Sequence, residues 1–353
     1  MSTVVQEDVR SVVQRVGRAF QKLDGKKFLI AGGTGFIGSH LLETIAFLND
    51  EVLGKSCQAY SLGRHPERFS QRLPHLTRRK DIVLLQGDIR TFKAPTDSFD
   101  FVIHAASPAV PQILTKNPLE AMEVIVEGTR RVLGLASEKR VDRFLFLSSG
   151  AVYGPQPPAL KAIPEDYQGG PDLRNERAGY GEAKRYAEAL CRAFRASRDV
   201  PVLVARLFAF VGPYMDFSSS FAVTDFIRQG LLGETIRIKG DGKAVRTLCY
   251  SADMVVAIWK ILLLAETGEI FNVGSDREAV SISELAHKVA GKMNPPGKVC
   301  LEGHGNGDSD RPRYVPDLSR LKTLGFSALY DLDMSLERTI RHLLEGNCQG
   351  IRQ

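Results

Sequence analysis

The chain has 353 residues, of which 43% are apolar and 25% charged, with a formal net charge of +6. This is ordinary globular composition: it excludes a disordered, collagen-like or disulfide-scaffold chain, and the length predicts two lobes or one large α/β unit. The basic excess is scattered, densest at residues 72–80, and no aromatic-interleaved basic stripe accompanies it, so an enzyme for anionic substrates is expected and nucleic-acid binding is not.

Residues 1–25 form the first predicted element, an amphipathic helix with Val5, Val9, Val12, Val16, Phe20 and Leu23 at spacings of three or four, closed by Asp24-Gly25. It is read as packing on its own domain or on a second subunit. Arg10, Arg15, Arg18 and Lys22 also line it, which leaves a membrane-surface helix as the alternative. The segment has no apolar centre of the signal-peptide kind, and no run of 18 apolar residues occurs anywhere, so neither a leader nor a membrane span is expected. Strands are then predicted at 26–32, 57–62, 81–87, 99–106, 142–149 and 200–208, separated by helices at 36–48, 118–140 and around 176–196. Strands alternating with helices imply a doubly wound parallel sheet, an α/β Rossmann-type dinucleotide-binding domain over 26–208. From 209 to 345 the alternation weakens into short strands (235–240, 269–274) and helices (225–233, 252–266, 281–291). This is read as a smaller, partly interleaved substrate lobe, with the strand near 269–274 a candidate to return to the first domain. Five cysteines, Cys57, Cys191, Cys249, Cys300 and Cys348, show no CxxC pair and read as reduced thiols of a cytoplasmic protein, with no metal site.

Two motifs carry the chemistry. Gly32-Gly33-Thr34-Gly35-Phe36-Ile37-Gly38 follows the first strand and opens the first sheet helix. In that context Gly32 permits the tight turn, Gly35 lets a pyrophosphate approach the backbone, Gly38 allows close packing, and the helix N-terminus favours the phosphates. At the end of the second strand, where an acid would bond a ribose 2′-hydroxyl, Arg64 stands instead. The cofactor is therefore NAD or NADP, with Arg64 favouring NADP through a forked pairing with a 2′-phosphate; stacking on adenine is the other use of that guanidinium. Asp88 is either an adenine acceptor or a helix cap.

The second motif is Tyr180-x-x-x-Lys184, which places both side chains on one helix face, with Ser148 and Ser149 at the end of the preceding strand. A neighbouring ammonium and a nicotinium charge both favour phenolate, so Tyr180 can take a proton from a hydroxyl and return it in the reverse step, while Ser149 fixes the same oxygen.

These motifs, with HAA (104–106), SSGAVYG (148–154) and GDGKAVRTLCYSADM (240–254) in this order, resemble the extended short-chain dehydrogenase/reductase family in its nucleotide-sugar epimerase/dehydratase branch, over residues 26–345. The resemblance implies a Ser149–Tyr180–Lys184 catalytic triad and a nucleoside diphosphate sugar substrate. It implies a homodimer built from the helices near 118–138 and 176–196. It completes the cofactor site with Phe36, Ile37, Ile89, Ala105 and Ala106, Tyr180 and Lys184 serving there too. On the substrate side it implies Ser107, Ser149 and Gly150, with Arg246 and either Arg311 or Arg313 on the diphosphate.

Three departures bear on the reaction. The acid pair that dehydratases of this family carry before VYG is replaced by Gly150 and Ala151, neither of which moves a proton. Ile125 and Ala209 stand where the family often has asparagine, the second normally touching substrate. What remains without further acids is oxidation of a sugar hydroxyl, usually at C4, and return of hydride to the other face, a 4-epimerase. A 4-keto-sugar reductase or dehydrogenase, a dehydratase or decarboxylase with a displaced acid, and a non-catalytic cofactor sensor are the alternatives.

Overall fold

The computed structural model describes residues 1–95, 97–108, 114, 116–175, 177–303 and 312–346. Among them, seven parallel strands form one sheet: β1 (Lys27–Ala31), β2 (Gln58–Gly63), β3 (Ile82–Gln86), β4 (Phe101–His104), β5 (Arg143–Ser149), β6 (Val202–Leu207) and a strand from the C-terminal third, Ile270–Val273. The spatial order runs from Ile270–Val273 through β6, β5, β4, β1 and β2 to β3. The strands are short apolar runs buried on both faces, as a helix-covered parallel sheet requires. One face is covered by α1 (Thr3–Val16), α2 (Phe36–Glu51) and the apolar helix Ser251–Leu264, the other by two long helices, Pro118–Lys139 and Ala178–Arg198. The strand order proceeds outward to opposite sides of β1, through β2 and β3 on one side and from β4 on the other, so the crevice beyond the carboxyl ends of β1 and β4 is the switch point where such sheets bind ligands.

The sheet strand at Ile270–Val273 pairs with β6, in register Ile270↔Val204 to Val273↔Leu207, so the C-terminal third crosses back into the first layer. The remaining C-terminal elements form small sheets, with Val245–Thr247 between Ala279–Ser281 and Arg313–Tyr314. They enclose a separate core that includes Phe226, Ile236, Leu285 and Leu336. A fourth cluster, Val152, Tyr153, Ile163, Phe208 and Tyr314, joins the two parts beside β5.

The first helix is shorter than its periodicity predicts. It ends at Val16, where Gly17 takes φ +62°, and a 3-10 helix continues from Gly17 to Leu23. Its apolar face, Val4 to Val16, is buried on the chain's own core. Arg15 pairs with buried Asp253 at 2.7 Å and Lys22 donates to the Leu263 carbonyl, so two of the four cations that left a membrane-surface helix open hold internal contacts, while Arg10 and Arg18 are exposed. No helix among the described residues is long and apolar enough to cross a membrane. Cys57, Cys191 and Cys249 are buried and Cys300 is exposed, all as free thiols; Cys348 lies outside the described residues.

Candidate active site

The glycine turn leaves β1 and enters α2 at the switch point. Gly32 has φ +85°, and a β-carbon there would lie 2.6 Å from the Ala106 amide nitrogen and 2.8 Å from the Ala105 carbonyl carbon. Only glycine permits both the backbone conformation and this approach to the loop after β4. A β-carbon on Gly38 would run into the Gly33 backbone, which locks α2 close against the turn. Gly35 caps α2 with no side-chain hydrogen bond, leaving Phe36 and Ile37, both half-exposed, in a first turn whose amides face outward. Ser107 Oγ, in the loop after β4, is buried and has no hydrogen-bond partner. A cradle that a single β-carbon would fill, an uncapped helix N-terminus and an orphaned hydroxyl beside it fit a dinucleotide pyrophosphate and its neighbours.

Beyond Thr34 opens a pocket of about 250 Å³ lined by Thr34, Arg64, His65, Arg68, Phe69 and Arg72. Arg64 and Arg68 are exposed, and Arg72 Nη2 donates to the Thr34 carbonyl at 3.0 Å and to Ser39 Oγ at 2.8 Å. The pocket thus places three guanidinium groups beside the phosphate turn. Arg68 and Arg72 escaped the sequence reading, although their places four and eight residues after Arg64, both on the short helix Pro66–Arg72, were available to find them. Asp88 takes the Arg90 backbone N–H and side chain, with an ion pair of 2.7 Å, and its carbonyl accepts from Phe92, so it caps the turn after β3. The Arg90 guanidinium holds its carboxyl below the usual range. Ile89 is buried against Gly128 of the helix Pro118–Lys139.

Tyr180 and Lys184 occupy the first two turns of the helix Ala178–Arg198, and Tyr180 is half-exposed. Lys184 is buried: its Nζ donates to the Leu147 carbonyl at 2.8 Å and sits 4.8 Å from the centre of the Phe146 ring. Desolvation pushes its pKa down to about 7, opposed by the charge of Glu188. Leu147 immediately precedes Ser148 and Ser149, so the lysine anchor and the serine hydroxyl belong to one strand end. Ser149 Oγ accepts from the Ala151 amide at 3.2 Å, which orients it at the start of a single 3-10 turn, Gly150–Tyr153.

A polar network supports this edge from behind. Ser148 Oγ donates to Glu188 Oε1 at 2.5 Å. Arg206 of β6 reaches the same carboxylate through Nε at 3.0 Å and Nη2 at 2.7 Å, and donates through Nη1 to the Tyr153 hydroxyl at 2.8 Å. Tyr153 donates in turn to Asn272 Oδ1 at 2.8 Å. Neither Glu188 nor Arg206 was singled out from the sequence. The signals were the next step of four after Tyr180 and Lys184, and an arginine inside an otherwise apolar strand.

On the substrate side, Gly150 faces an aromatic wall: a β-carbon there would collide with the Tyr314 hydroxyl and lie 2.9 Å from the Phe208 ring. The Phe208 and Tyr314 rings stack at 4.5 Å, and Arg246, paired in register with Tyr314, lies 6.0 Å from that ring. Ala209 follows Phe208, and its carbonyl accepts from Cys249. Arg313 alternates with Tyr314 along its strand and donates through Nε to the Lys161 carbonyl, so Tyr314 and not Arg313 meets the Gly150 backbone. Arg311 lies outside the described residues. Among the described residues no cluster of three metal-ligating side chains occurs.

Residues 28–274 match the model of the NAD dependent epimerase/dehydratase family. The chain is 30% identical to UDP-glucuronic acid decarboxylase 1 of Xenopus tropicalis over 95% of its own length and 78% of that protein. It is 31% identical to UDP-glucuronic acid decarboxylase 3 of Arabidopsis thaliana over 84% and 82%. Its fold is similar to an epimerase of Methanothermobacter thermautotrophicus, with a TM-score of 0.81 at 22% identity, covering 96% of this chain and 98% of that one. It is also similar to UDP-glucose 4-epimerase of Thermotoga maritima, with a TM-score of 0.77 at 20% identity and coverage of 91% and 99%.

Proposed function

Because the chain belongs to the NAD-dependent epimerase/dehydratase family of nucleotide-sugar-modifying enzymes, we propose that it is a nucleotide-sugar 4-epimerase. The observation that carries this reading is the pairing of a serine–tyrosine–lysine edge with Gly150 and Ala151, which bring no acid to it. Tyr180 takes the proton of the sugar hydroxyl and later returns it. Ser149 hydrogen-bonds the same oxygen and holds it through the change from hydroxyl to carbonyl. Lys184, fixed by the Leu147 carbonyl, supplies the positive charge that favours the Tyr180 phenolate. Arg246 is assigned to the diphosphate, where a guanidinium pairs in forked geometry. The nicotinamide, when bound, supplies the acceptor and donor of hydride.

The turn from Gly32 to Gly38 would hold its pyrophosphate, with Ala105, Ala106 and Ser107 beside it. We assign the Arg64, Arg68 and Arg72 pocket to a 2′-phosphate, making NADP the preferred form, and the pair of helices Pro118–Lys139 and Ala178–Arg198 to a homodimer interface. Exposed Leu119 and Tyr186 on those helices support the interface.

The curated relatives favour a second reading, decarboxylation of a nucleotide-linked uronic acid. The experiment that separates the two incubates the protein with UDP-glucose and with UDP-glucuronic acid, each with NAD or NADP, and follows product mass and chromatographic position. A product of unchanged mass and new mobility is expected. Loss of carbon dioxide from UDP-glucuronic acid would replace the epimerase with the decarboxylase, and loss of water would indicate a dehydratase with an acid supplied from elsewhere.

A further inference from the structure

Tyr180, Lys184 and Glu188 recur at intervals of four along one helix, so they share a face, and the last is a buried carboxylate outside the proposed triad. Its position is fixed from three sides. Ser148 holds Oε1 at 2.5 Å from the end of β5. Arg206 grips both oxygens from β6. The helix itself sets its height one turn beyond Lys184. We propose that Glu188 is a positioning residue that keeps the Lys184 ammonium charged in its buried seat, and through it the Tyr180 phenol acidic. The proposal rests on the assignment of Tyr180 as the base.

Burial sets the problem that Glu188 answers. An ammonium withdrawn from water loses its charge readily, and a neutral Lys184 gives Tyr180 no help. The groups around Lys184 are few. On its own helix stand Tyr180, Glu188 and the buried thiol of Cys191. From β5 come the Leu147 carbonyl, the Phe146 ring and the Ser148 hydroxyl. From β4 comes His104, whose imidazole burial keeps neutral and whose Nε2 is engaged with Thr129 Oγ1 at 3.0 Å. Glu188 is thus the carboxylate among these groups, and its coulombic effect on Lys184 opposes the desolvation. Arg206 holds both carboxylate oxygens, and Tyr153 and the Glu165 carbonyl hold Arg206, so the carboxylate is fixed one helical turn from Lys184.

The test needs no knowledge of the sugar. The Tyr180 phenolate is titrated by ultraviolet absorbance in the protein saturated with NADP, as the difference between each protein and its Tyr180→Phe counterpart. In Glu188→Gln the Tyr180 midpoint is expected to rise by about one pH unit or more, the size of effect a single close charge exerts. Glu188→Asp, which keeps the charge, is expected to recover most of that shift. In a Lys184→Met background, Glu188→Gln is expected to add nothing. If Glu188→Gln does not fold because Arg206 is left unpaired, Glu188→Gln with Arg206→Gln removes both charges and is expected to raise the midpoint by a smaller amount, since the repulsion of the ammonium by the arginine goes with it. A lowered melting temperature with an unmoved Tyr180 midpoint would overturn the proposal and leave Glu188 a structural staple. A wild-type Tyr180 midpoint at the ordinary phenol value would overturn the base assignment instead.

Discussion

Ser149, Tyr180 and Lys184 come from two elements, yet the Leu147 carbonyl ties lysine to strand within 2.8 Å. Removing the phenolic oxygen in Tyr180→Phe is expected to lower turnover of the responsive nucleotide sugar by about 10²- to 10⁴-fold while nicotinamide binding, measured by fluorescence quenching, stays near wild type. At the turn, Gly32→Ala forces a β-carbon onto the Ala105–Ala106 backbone at a φ of +85°. It is expected to abolish dinucleotide binding by the same assay while the far-ultraviolet circular dichroism is retained. Arg64→Ala together with Arg68→Ala is expected to reverse a preference for NADP over NAD by about tenfold or more, the loss of a charge-assisted pair; equal affinities in the parent protein would remove the 2′-phosphate assignment. The glycine turn and the shared helix face of Tyr180 and Lys184 were legible because each is a local spacing that its element preserves. Tyr314 was not: nothing in residues 312–316 announces that its hydroxyl abuts Gly150, more than 160 positions earlier, since that approach is made by the pairing of two short strands.

At the scale of elements, helices with strong patterns were readable and those whose limits depend on caps were less so. The helix Ile282–Gly291 begins with a capping box, Ser281 taking the Glu284 amide and Glu284 returning to the Ser281 amide. Ser281→Ala is expected to cost about 1 kcal/mol in denaturant unfolding. The amphipathic stripe of α1 was visible, but its end at Gly17 was not, because a 3-10 continuation keeps the apolar side chains inward without the α spacing. The same helix carries buried Asp8, bound by Arg338 at 2.6 Å and by the Tyr250 hydroxyl at 2.7 Å. Of the short C-terminal strands, Ile236–Ile238 falls within the expected 235–240, whereas the others, two or three residues each, carry too little alternation to be found from sequence and exist because their neighbours pair with them.

Over the whole molecule, acid stability follows from which groups are buried neutral. Burial holds His40 down to about 4 and His104 down to about 3, whereas the unfolded chain protonates both near 6.5. Between pH 6 and about pH 4 the unfolded state therefore binds two protons that the native state refuses. Asp8, raised to about 6 by burial, works the other way, since the native state takes its proton first. Among these three groups the net is one proton in favour of unfolding, so their combined contribution to stability is expected to fall as pH drops through this range by about 1.4 kcal/mol per unit. The chain has one tryptophan, Trp259, fully buried against Phe20 and Phe28, so its fluorescence reports the transition. A flat profile would mean that the two imidazoles titrate within the native fold.

The sequence by itself determined the α/β class, the parallel sheet, the phosphate turn and the tyrosine–lysine face. Each follows from a periodicity or a spacing contained within a single turn, strand or helix, which burial only has to preserve. The tertiary structure alone decided that Glu188 meets Ser148 and Arg206. It also set the aromatic wall where an acid pair would stand. These depend on side chains from distant segments arriving at one sheet edge, and that edge is created by the order of the strands, a global minimum of burial that no local pattern encodes.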